Sequence, residues 1–328
     1  MMKTILITGG SGFIGSHLVK HFVYKYPDYN IVNIDSLTYA SNYSYIQELE
    51  KENNYNFYKV DINDNKKIID LFNKYSFDSI INLAAESHVD NSIKKPGIFI
   101  KTNILGTINL LNIVKEYWSN NSSRKRVFYQ ISTDEVYGSL GVHGSFTEKS
   151  KYSPRSPYSA SKASADHFVL AYYNTFNVPT LVSNCSNNFG PNQHYEKLIP
   201  TVVKSLDNKN KIPVYGDGKN IRDWLYVQDH IDAIDLIFHK GKLGEVYNIG
   251  GGNEVSNLDL IEEIVKIYYS PNKITDISKY IRFVDDRKGH DFRYSVDFSK
   301  IKRDLGWKPK TDFKDSLLKT IKWYKQKK

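Results

Sequence analysis

The run Thr133, Asp134 and Glu135 is the part of the chain best suited to chemistry, because it offers a hydroxyl and two carboxyl groups in succession. The apolar residues just before it are typical of a strand, and the turn at Gly138 ends the segment. Three polar side chains therefore follow the C-terminal end of a predicted strand. Open α/β sheets bind their ligands at that edge, so this run is predicted to face a ligand.

A second pair of reactive side chains, Tyr158 and Lys162, lies in residues 157–176, a segment whose pattern predicts a helix. Side chains four residues apart share one face of a helix. A phenol with a pKa of about 10 is a poor base at neutral pH, and a neighbouring ammonium lowers that pKa. Tyr158 is therefore predicted to accept the proton of a substrate hydroxyl. The chain holds 25 tyrosines, so the pair needs the support of other motifs.

A glycine-rich loop near the N-terminus predicts a dinucleotide site. The apolar run at 3–8 leads into Gly9, Gly12 and Gly15, and a helical pattern follows. Glycines at this spacing let a pyrophosphate approach the N-terminus of the helix. Asp35 closes a second apolar run about 20 residues past Gly15, where it can accept hydrogen bonds from an adenosine ribose. A carboxylate there would repel a 2′-phosphate, so NAD is predicted rather than NADP.

The first half of the chain alternates strand-like and helix-like segments, which predicts an α/β fold with a doubly wound parallel Rossmann sheet. After residue 185 the pattern changes to short strands among helices, which predicts a smaller α+β cap. We therefore expect an NAD-binding domain at 1–185 and a mainly substrate-binding domain at 186–328, with residues near 225–250 returning to the first domain.

The composition restricts the class of protein. With 40% hydrophobic and 25% charged residues in a chain of 328, a globular protein is predicted. No apolar stretch approaches the roughly 20 residues of a membrane span, and the N-terminus leads into a strand rather than a signal peptide, so a cytoplasmic protein without a membrane partner is expected.

Cysteine, histidine and lysine patterns exclude other functions. Cys185 is the only cysteine, which excludes an intramolecular disulfide and a multi-thiolate metal site. No His, Asp or Glu spacing indicates a metal site. The net charge of +9 comes from scattered lysines, which indicates a solvated surface rather than a nucleic-acid interface.

Taken together, the motifs resemble those of the extended short-chain dehydrogenase/reductase family, and within it those of the nucleotide-sugar 4,6-dehydratases. The resemblance extends from residue 5 to about residue 307. It is carried by residues 8–15 (Thr-Gly-Gly-Ser-Gly-Phe-Ile-Gly), 35–40 (Asp-Ser-Leu-Thr-Tyr-Ala), 83–88 (Leu-Ala-Ala-Glu-Ser-His), 132–138 (Ser-Thr-Asp-Glu-Val-Tyr-Gly), 187–188 (Asn-Asn), 196–200 (Glu-Lys-Leu-Ile-Pro), 217–224 (Asp-Gly-Lys-Asn-Ile-Arg-Asp-Trp) and 286–291 (Asp-Arg-Lys-Gly-His-Asp).

The resemblance implies a reaction on bound NAD that converts dTDP-glucose or UDP-glucose to a 4-keto-6-deoxy sugar nucleotide and water, a product suited to a deoxysugar pathway such as that of rhamnose. Tyr158 would take the C4 hydroxyl proton while NAD takes the C4 hydride. Thr133 would form a hydrogen bond with the C4 oxygen, and Lys162 would bind the phenolate and the nicotinamide ribose. Glu135 would then remove the C5 proton while Asp134 protonates the departing C6 hydroxyl, before the hydride returns to C6. Two carboxyl groups in different environments can divide these roles.

The resemblance also implies binding residues and a homodimer built on helices near 99–117 and 157–176. The implied cofactor residues are Gly9, Gly12, Phe13, Ile14, Gly15, Asp35, Ser36, Leu37, Thr38, Asp61, Ile62, Leu83, Ala84, Ala85, Ser87, Thr102, Tyr158, Lys162 and Asn188. The implied substrate residues are Ser87, Thr133, Asn187, Lys197, Leu198, Pro213, Val214, Tyr215, Arg222, Asn257, Arg287 and His290, which would place the sugar nucleotide mainly in the domain at 186–328.

Two departures from the pattern of the thymidine-nucleotide enzymes leave the base open. Lys288 stands where those enzymes usually have proline, and residues 192–195 read Asn-Gln-His-Tyr in place of Tyr-Gln-Phe-Pro. Residues 190–193 and 89–92 resemble the uridine enzymes instead. Thymine and uracil differ by one methyl group, which an apolar pocket distinguishes by only about 1 to 3 kcal/mol.

Two other functions stay open at this point. A UDP-sugar 4-epimerase of the same fold would need Tyr158, Lys162 and NAD but would make no use of Asp134 and Glu135. A dinucleotide-binding protein without catalysis would use its basic surface to bind a partner, and it would need none of these five side chains.

Overall fold

A central parallel sheet organises the protein, whose computed structural model describes residues 3–119, 125–269 and 276–327. The strands are β1 (Lys3–Thr8), β2 (Tyr29–Asp35), β3 (Tyr55–Lys59), β4 (Ser79–Asn82), β5 (Val127–Thr133), β6 (Thr180–Cys185), β7 (Asn187–Phe189), β8 (Ile212–Tyr215), β9 (Ile221–Tyr226), β10 (Val246–Ile249), β11 (Glu254–Ser256) and β12 (Ile281–Val284). Seven of them form one sheet in the order β10-β6-β5-β4-β1-β2-β3, and every neighbouring pair is parallel.

Helices cover both faces of this sheet. They are α1 (Phe13–Lys25), α2 (Asn65–Tyr75), α3 (Val89–Lys94), α4 (Pro96–Phe99), α5 (Gly106–Trp118), α6 (Pro157–Phe176), α7 (Leu198–Asp207), α8 (Val227–Lys240), α9 (Asn257–Tyr269), α10 (Ser299–Leu305) and α11 (Phe313–Gln326). Helices α1 and α8 pack with the sheet in one apolar core, and α2, α5 and α6 pack with it in another. The predicted doubly wound Rossmann sheet is therefore confirmed.

The central strands are apolar because both of their faces are buried. Every residue of β5 is buried, and Ile5, Leu6 and Ile7 of β1 are fully inaccessible. Strands with two covered faces read as continuous apolar runs rather than as alternating ones. The chain runs from β1 outward to β2 and β3 and then returns to β4 on the other side of β1, so the strand order reverses between β1 and β4. Ligands bind outside the carboxyl ends of strands at such a point.

The later part of the chain builds a smaller unit beside that edge. Strands β7, β9 and β11 form one small sheet, and β8 pairs with β12 in another. Helices α7, α9 and α11 pack against these strands in a third apolar core. Strand β10, in contrast, joins β6 in the large sheet.

One helical run corrects the expectation that the sequence lacks an apolar stretch of membrane-spanning length. Helices α4 and α5 are joined by a π-helical segment, Ile100–Leu105, into the continuous run Pro96–Trp118. Among the described residues this is the one helix long and apolar enough to cross a membrane by length and composition, and 44% of its most apolar window is buried. Leu110 and Val114 of this run pack in the core against the sheet, as in a core helix.

Candidate active site

A cavity of about 540 Å³ opens at the C-terminal edge of the large sheet, where the ends of β1, β2, β4 and β5 meet. All of the predicted cofactor residues except Leu37 line it. Leu37 has a left-handed backbone (φ +56°) and its N–H donates to Asp35, so it shapes the neighbouring loop rather than the cavity wall.

Gly9 and Gly15 of the glycine loop at this cavity leave no room for a side chain. Gly9 has φ +71°, and a Cβ at that position would lie 2.7 Å from the backbone nitrogen of Ala84. A Cβ at Gly15 would lie 2.1 Å from the carbonyl oxygen of Gly9. The loop therefore packs backbone against backbone at the start of α1, which is the cradle that a dinucleotide pyrophosphate requires.

Asp35, the last residue of β2, holds the second loop of the cavity. Its Oδ2 accepts a hydrogen bond from Ser11 N (2.9 Å), and its Oδ1 accepts from Leu37 N (2.8 Å) and Ser41 Oγ (2.9 Å). These bonds fix the carboxylate between the glycine loop and the loop after β2. A negative group therefore lines the cavity where an adenosine ribose would lie, and it disfavours a 2′-phosphate. The residues fit NAD.

The run Thr133–Glu135 turns sharply into the cavity. Strand β5 ends at Thr133, and a 3-10 turn, Asp134–Tyr137, follows. Thr133 Oγ1 accepts from Glu135 N and lies 3.3 Å from Asp134 Oδ1, to which it donates. Asp134 is 1% exposed, and its Oδ2 has no hydrogen-bond partner among the residues that the structure describes. The neighbouring carboxyl groups thus face different surroundings.

The charges around these two carboxyl groups favour different protonation states. Burial raises the pKa of Asp134 well above its usual range, and the negative charges of Glu135 and Asp223 raise it further. Burial also raises the pKa of Glu135, but the positive charges of Lys197 and Arg222 oppose that rise. Asp134 is therefore held protonated as a potential acid, and Glu135 is the one that nearby cations help to ionise.

Helix α6 positions Tyr158 and Lys162 at the same cavity. Ser156 caps the helix by accepting from Ser159 N (3.0 Å), and Pro157 occupies the first turn, so Tyr158 lies at the very start of α6. Lys162, one turn later, donates from Nζ to the carbonyl oxygen of Ile131 on β5 at 2.7 Å. Both side chains line the cavity.

The predicted lowering of the Tyr158 pKa is not found among the protein groups. Burial raises the pKa of Tyr158 well above its usual value, and the negative charges of Glu135, Cys185 and Asp134 raise it further, while a hydrogen bond with Thr133 opposes them. Lys162 directs its ammonium at Ile131 O, and burial lowers its own pKa. The lysine alone underlay the predicted lowering, whereas the nearby carboxyl groups of Glu135 and Asp134 raise the pKa of the phenol.

A second cavity, of about 230 Å³, adjoins the first on the side of the smaller unit. Glu135 and Lys197 line both cavities, so the two share a wall. The predicted substrate residues that line the second cavity are Asn187, Lys197, Leu198, Pro213, Tyr215, Arg222, Asn257, Arg287 and His290. Ser87 and Thr133 line the first cavity instead.

Val214 does not reach either cavity. It lies in the middle of β8, is 2% exposed and packs in the third core. Side chains alternate between the two faces of a strand, so Pro213 and Tyr215 face the cavity and Val214 faces the opposite way. The position of the Val214 side chain does not support the substrate contact predicted for this residue, which stays a prediction.

Three cations line the second cavity, namely Lys197, Arg222 and Arg287, and the last of these is paired with Asp90. Lys197 Nζ donates to Ser87 O at 3.0 Å, and Arg222 donates from Nη2 to Asp291 O at 3.0 Å while its guanidinium lies 4.4 Å from the ring centre of Tyr294. The hydrogen-bond partners of Lys197 and Arg222 are neutral carbonyl groups, so the positive charges of these two side chains remain available to an anion. A guanidinium binds two oxygens at once, which suits a diphosphate.

Several polar residues of this second cavity were not predicted from the sequence. Asp291 and Tyr294 line it, and Asp90 binds the cavity residue Arg287. Asp291 ends the motif at 286–291, which could have identified it. No local pattern could have joined Asp90 to an arginine almost two hundred positions later. Within the described ranges, no group of three or more His, Cys, Asp or Glu side chains is arranged to hold a metal ion.

Comparison with known proteins agrees with this geometry. Residues 6–320 match the family described as GDP-mannose 4,6 dehydratase. The chain is 47% identical to the dTDP-glucose 4,6-dehydratase of Haemophilus influenzae, and the alignment covers 98% of each protein. It superimposes with a TM-score of 0.91 on the dTDP-glucose 4,6-dehydratase of Streptomyces venezuelae, solved with NAD bound, at 40% identity and with coverage of 98% of this chain and 97% of that one.

An epimerase of the same fold is less similar in sequence. The chain superimposes with a TM-score of 0.87 on the UDP-glucose 4-epimerase of Thermotoga maritima, with 99% of each chain covered, but the two sequences are 26% identical. The backbone alone therefore does not separate the two activities, and the residues of the site must do so.

Proposed function

The chain belongs to the GDP-mannose 4,6-dehydratase family. From its similarity to dTDP-glucose 4,6-dehydratases within that fold, we propose that its own substrate is dTDP-glucose. The protein is an NAD-dependent nucleotide-sugar 4,6-dehydratase, a hydro-lyase that forms a 4-keto-6-deoxy sugar nucleotide and water. The thymidine nucleotide is favoured by the relatives at 47% and 40% identity, which are named as dTDP-glucose enzymes over nearly their whole length.

One observation carries the assignment of elimination to this site. Asp134 is buried with a raised pKa and an unpartnered Oδ2, beside a glutamate that faces cations, at the wall between the two cavities. An epimerase has no step that needs an acid and a base in addition to its tyrosine. Elimination of water across C5 and C6 needs both.

The proton transfers are assigned to five side chains. When bound, NAD accepts two electrons from the sugar at C4 and returns them at C6. Tyr158 removes the C4 hydroxyl proton, with Thr133 bonding the same oxygen. Tyr158 must be a phenolate before this transfer and is a neutral phenol after it, and Lys162 would stabilise that phenolate because its buried ammonium lies one turn along the same helix face.

The elimination is then divided between the two carboxyl groups. Oxidation at C4 makes the C5 proton acidic, and Glu135 removes it. Asp134, whose protonated form is favoured by burial and by the charge of Glu135, gives its proton to the departing C6 hydroxyl. Once C6 has received the hydride, Glu135 returns a proton to C5. The surroundings thus favour Asp134 over Glu135 as the acid, because the pKa of Asp134 is raised well above its usual value while cations oppose the rise at Glu135.

The cofactor and substrate sites follow from the two cavities. The glycine loop and Asp35 would hold the pyrophosphate and adenosine ribose of NAD, and residues 83–87 would line its path toward Tyr158. The sugar would lie at the shared wall, with its diphosphate toward Lys197, Arg222 and Arg287. The residues from 186 onward would then be mainly sugar-nucleotide-binding, apart from the segment of α8 and β10 that completes the large sheet.

A homodimer is supported by an exposed apolar surface on two neighbouring helical runs. Leu105 in the run Pro96–Trp118 is 52% exposed, and Ile100 beside it is 49% exposed. Phe168 and Phe176 on α6 are 40% and 47% exposed. A face of this kind is typical of a contact between protein subunits.

We place the protein in the cytoplasm, where a charged sugar nucleotide and NAD are both present.

The deciding experiment is to incubate the purified protein with NAD and, separately, with dTDP-glucose and UDP-glucose, and to weigh the products by mass spectrometry. Loss of one water from dTDP-glucose, faster than from UDP-glucose, is the expected result. The reverse preference would overturn the proposed nucleotide. A product isomeric with its substrate would favour the epimerase, and no reaction of either sugar would favour a binding protein.

A further inference from the structure

Asp166 is a fully buried carboxyl group that the reaction described above does not use. It lies on α6 at the end of the series Tyr158, Lys162 and Asp166, whose members are four residues apart, so the three occupy one face of the helix. Its exposed fraction is 0%. A buried carboxyl group is unfavourable unless hydrogen bonds or an opposite charge compensate it, so its position behind the site calls for a physical reason.

The hydrogen bonds of Asp166 connect α6 to the strand that carries the acid and the base. Ser132 Oγ donates to Asp166 Oδ2 at 2.6 Å, and Tyr152 OH donates to the same oxygen at 3.3 Å. Ser132 directly precedes Thr133. Tyr152 OH in turn accepts from Asn184 Nδ2 on β6 at 3.0 Å. Asp166 therefore joins the helix of Tyr158 and Lys162 to the end of β5.

The charge of Asp166 faces that of Lys162. Burial raises the pKa of Asp166 to about 7, and the positive charge of Lys162 opposes that rise. Burial lowers the pKa of Lys162, and the negative charges of Asp166 and then Cys185 oppose that fall. The other titratable groups close to Asp166 are Tyr152, from the segment before α6, and Tyr137, from the turn after β5.

We propose that Asp166 is a positioning residue of the dehydratase: it holds Ser132, and with it the run Thr133–Glu135, in register with α6, and it supplies the buried negative charge that keeps Lys162 an ammonium. The inference rests on the proposed function for the roles of Thr133–Glu135 and Lys162. Two variants separate its parts. Asp166→Asn keeps an acceptor for Ser132 but removes the charge, and Ser132→Ala removes the hydrogen bond but keeps the charge.

The first measurement is the pH profile of kcat/KM for loss of water from dTDP-glucose by the NAD-loaded full-length protein. In Asp166→Asn, Lys162 loses its proton at a lower pH, so the alkaline limb should move down by about one pH unit and the rate at pH 8 should fall about tenfold. Asp166→Glu should bring the limb back toward the wild-type position. Ser132→Ala should lower kcat without moving the limb.

Asp229→Asn is the matched control. Asp229 is another buried carboxyl group, outside both cavities, which accepts from Lys310 N (3.2 Å) and Thr311 N (3.1 Å). This substitution should leave the limb in place whatever it does to stability. A limb that stays in place in Asp166→Asn, or one that moves equally in Asp229→Asn, would overturn the proposed role of the charge. An unchanged kcat in Ser132→Ala would overturn the proposed role of the hydrogen bond.

A second measurement needs no substrate, so it separates this inference from the proposed function. Because the pKa of Asp166 is raised in the folded state, its contribution to stability is present at low pH and is lost as the pH rises toward about 7. The Tm of the wild type should therefore fall relative to that of Asp166→Asn between pH 5 and pH 8. A fall that is still under way at pH 8 would contradict the inference, because Asp166 would then be protonated, and Lys162 without its counter-charge, at the pH of the reaction. If wild type failed to dehydrate dTDP-glucose, the proposed substrate would be wrong, while this comparison would still show whether Asp166 carries the negative charge that the inference requires.

Discussion

Arg287 and Asp90 form a bidentate ion pair, in which Arg287 Nε lies 2.6 Å from Asp90 Oδ1 and Arg287 Nη2 lies 3.2 Å from Asp90 Oδ2. The pair joins α3, beside the large sheet, to the loop after β12 in the smaller unit. Two carboxylate oxygens thus occupy the guanidinium in the manner in which a diphosphate would bind it. A substrate that uses Arg287 must compete with Asp90.

We therefore predict that Asp90→Asn lowers the KM for the sugar nucleotide about threefold with little change in kcat, because both side chains are about a quarter exposed and such a pair is worth at most about 1 kcal/mol. The effect should shrink at high salt. Steady-state kinetics at two ionic strengths test it, with Asp64→Asn, in an exposed pair with Lys67, as the control. A raised KM in Asp90→Asn would mean that Asp90 positions Arg287 rather than competing for it.

Separate substitutions of the two carboxyl groups should stop the elimination at different points. In Glu135→Gln, the C5 hydrogen of the sugar should no longer exchange with solvent, because no base remains to remove it. Asp134→Asn should retain that exchange but release water at least about 100-fold more slowly, because the departing hydroxyl is no longer protonated. Mass spectrometry of the sugar nucleotide after incubation in deuterated water measures both. Equal loss of exchange in the two variants would refute the division of roles.

Ionisation of Asp134 should reduce the stability of the folded protein at neutral pH. The pKa of Asp134 is raised in the folded state, so its contribution to stability is present below the unfolded pKa of about 3.9 and is lost as the pH rises. Asp134→Asn should therefore raise the Tm at pH 8 by about 2 °C or more, which corresponds to about 1 kcal/mol, and by less at pH 4. Thermal melting of the two proteins at both pH values tests this. Equal shifts at both would show that the effect is not due to ionisation.

The sequence predicted those features that local patterns encode. The alternation of apolar runs predicted the sheet, and the glycine spacing with Asp35 predicted the cradle at β1. Contacts between distant segments were not predictable in this way. No local pattern around Asp90 predicts its ion pair with Arg287, and none around Ser132 predicts its hydrogen bond with Asp166. The pKa of Tyr158 was mispredicted for the same reason, because a spacing of four residues reveals Lys162 but not the carboxyl groups that the turn after β5 brings to the phenol.

Asn192, one of the departures in the segment 192–195, joins the smaller unit to the dinucleotide site. Its Oδ1 accepts from Asn42 Nδ2 at 2.6 Å, and its Nδ2 donates to Ser16 Oγ at 3.0 Å, in the first turn of α1. Its backbone is left-handed (φ +69°), which glycine tolerates without strain. Asn192→Gly therefore removes the two hydrogen bonds and leaves the backbone as it is.

We predict that Asn192→Gly releases bound NAD about tenfold faster, since each hydrogen bond contributes about 1 kcal/mol and the loop after β2 and the start of α1 both border the cofactor cavity. NAD retained after gel filtration, followed over time, measures the rate. Lys209→Gly is the control, because Lys209 has the same backbone conformation (φ +55°) in an exposed turn after α7. If both variants released NAD at the wild-type rate, the segment would serve the fold and the cofactor would be retained by the glycine loop and Asp35 without its help.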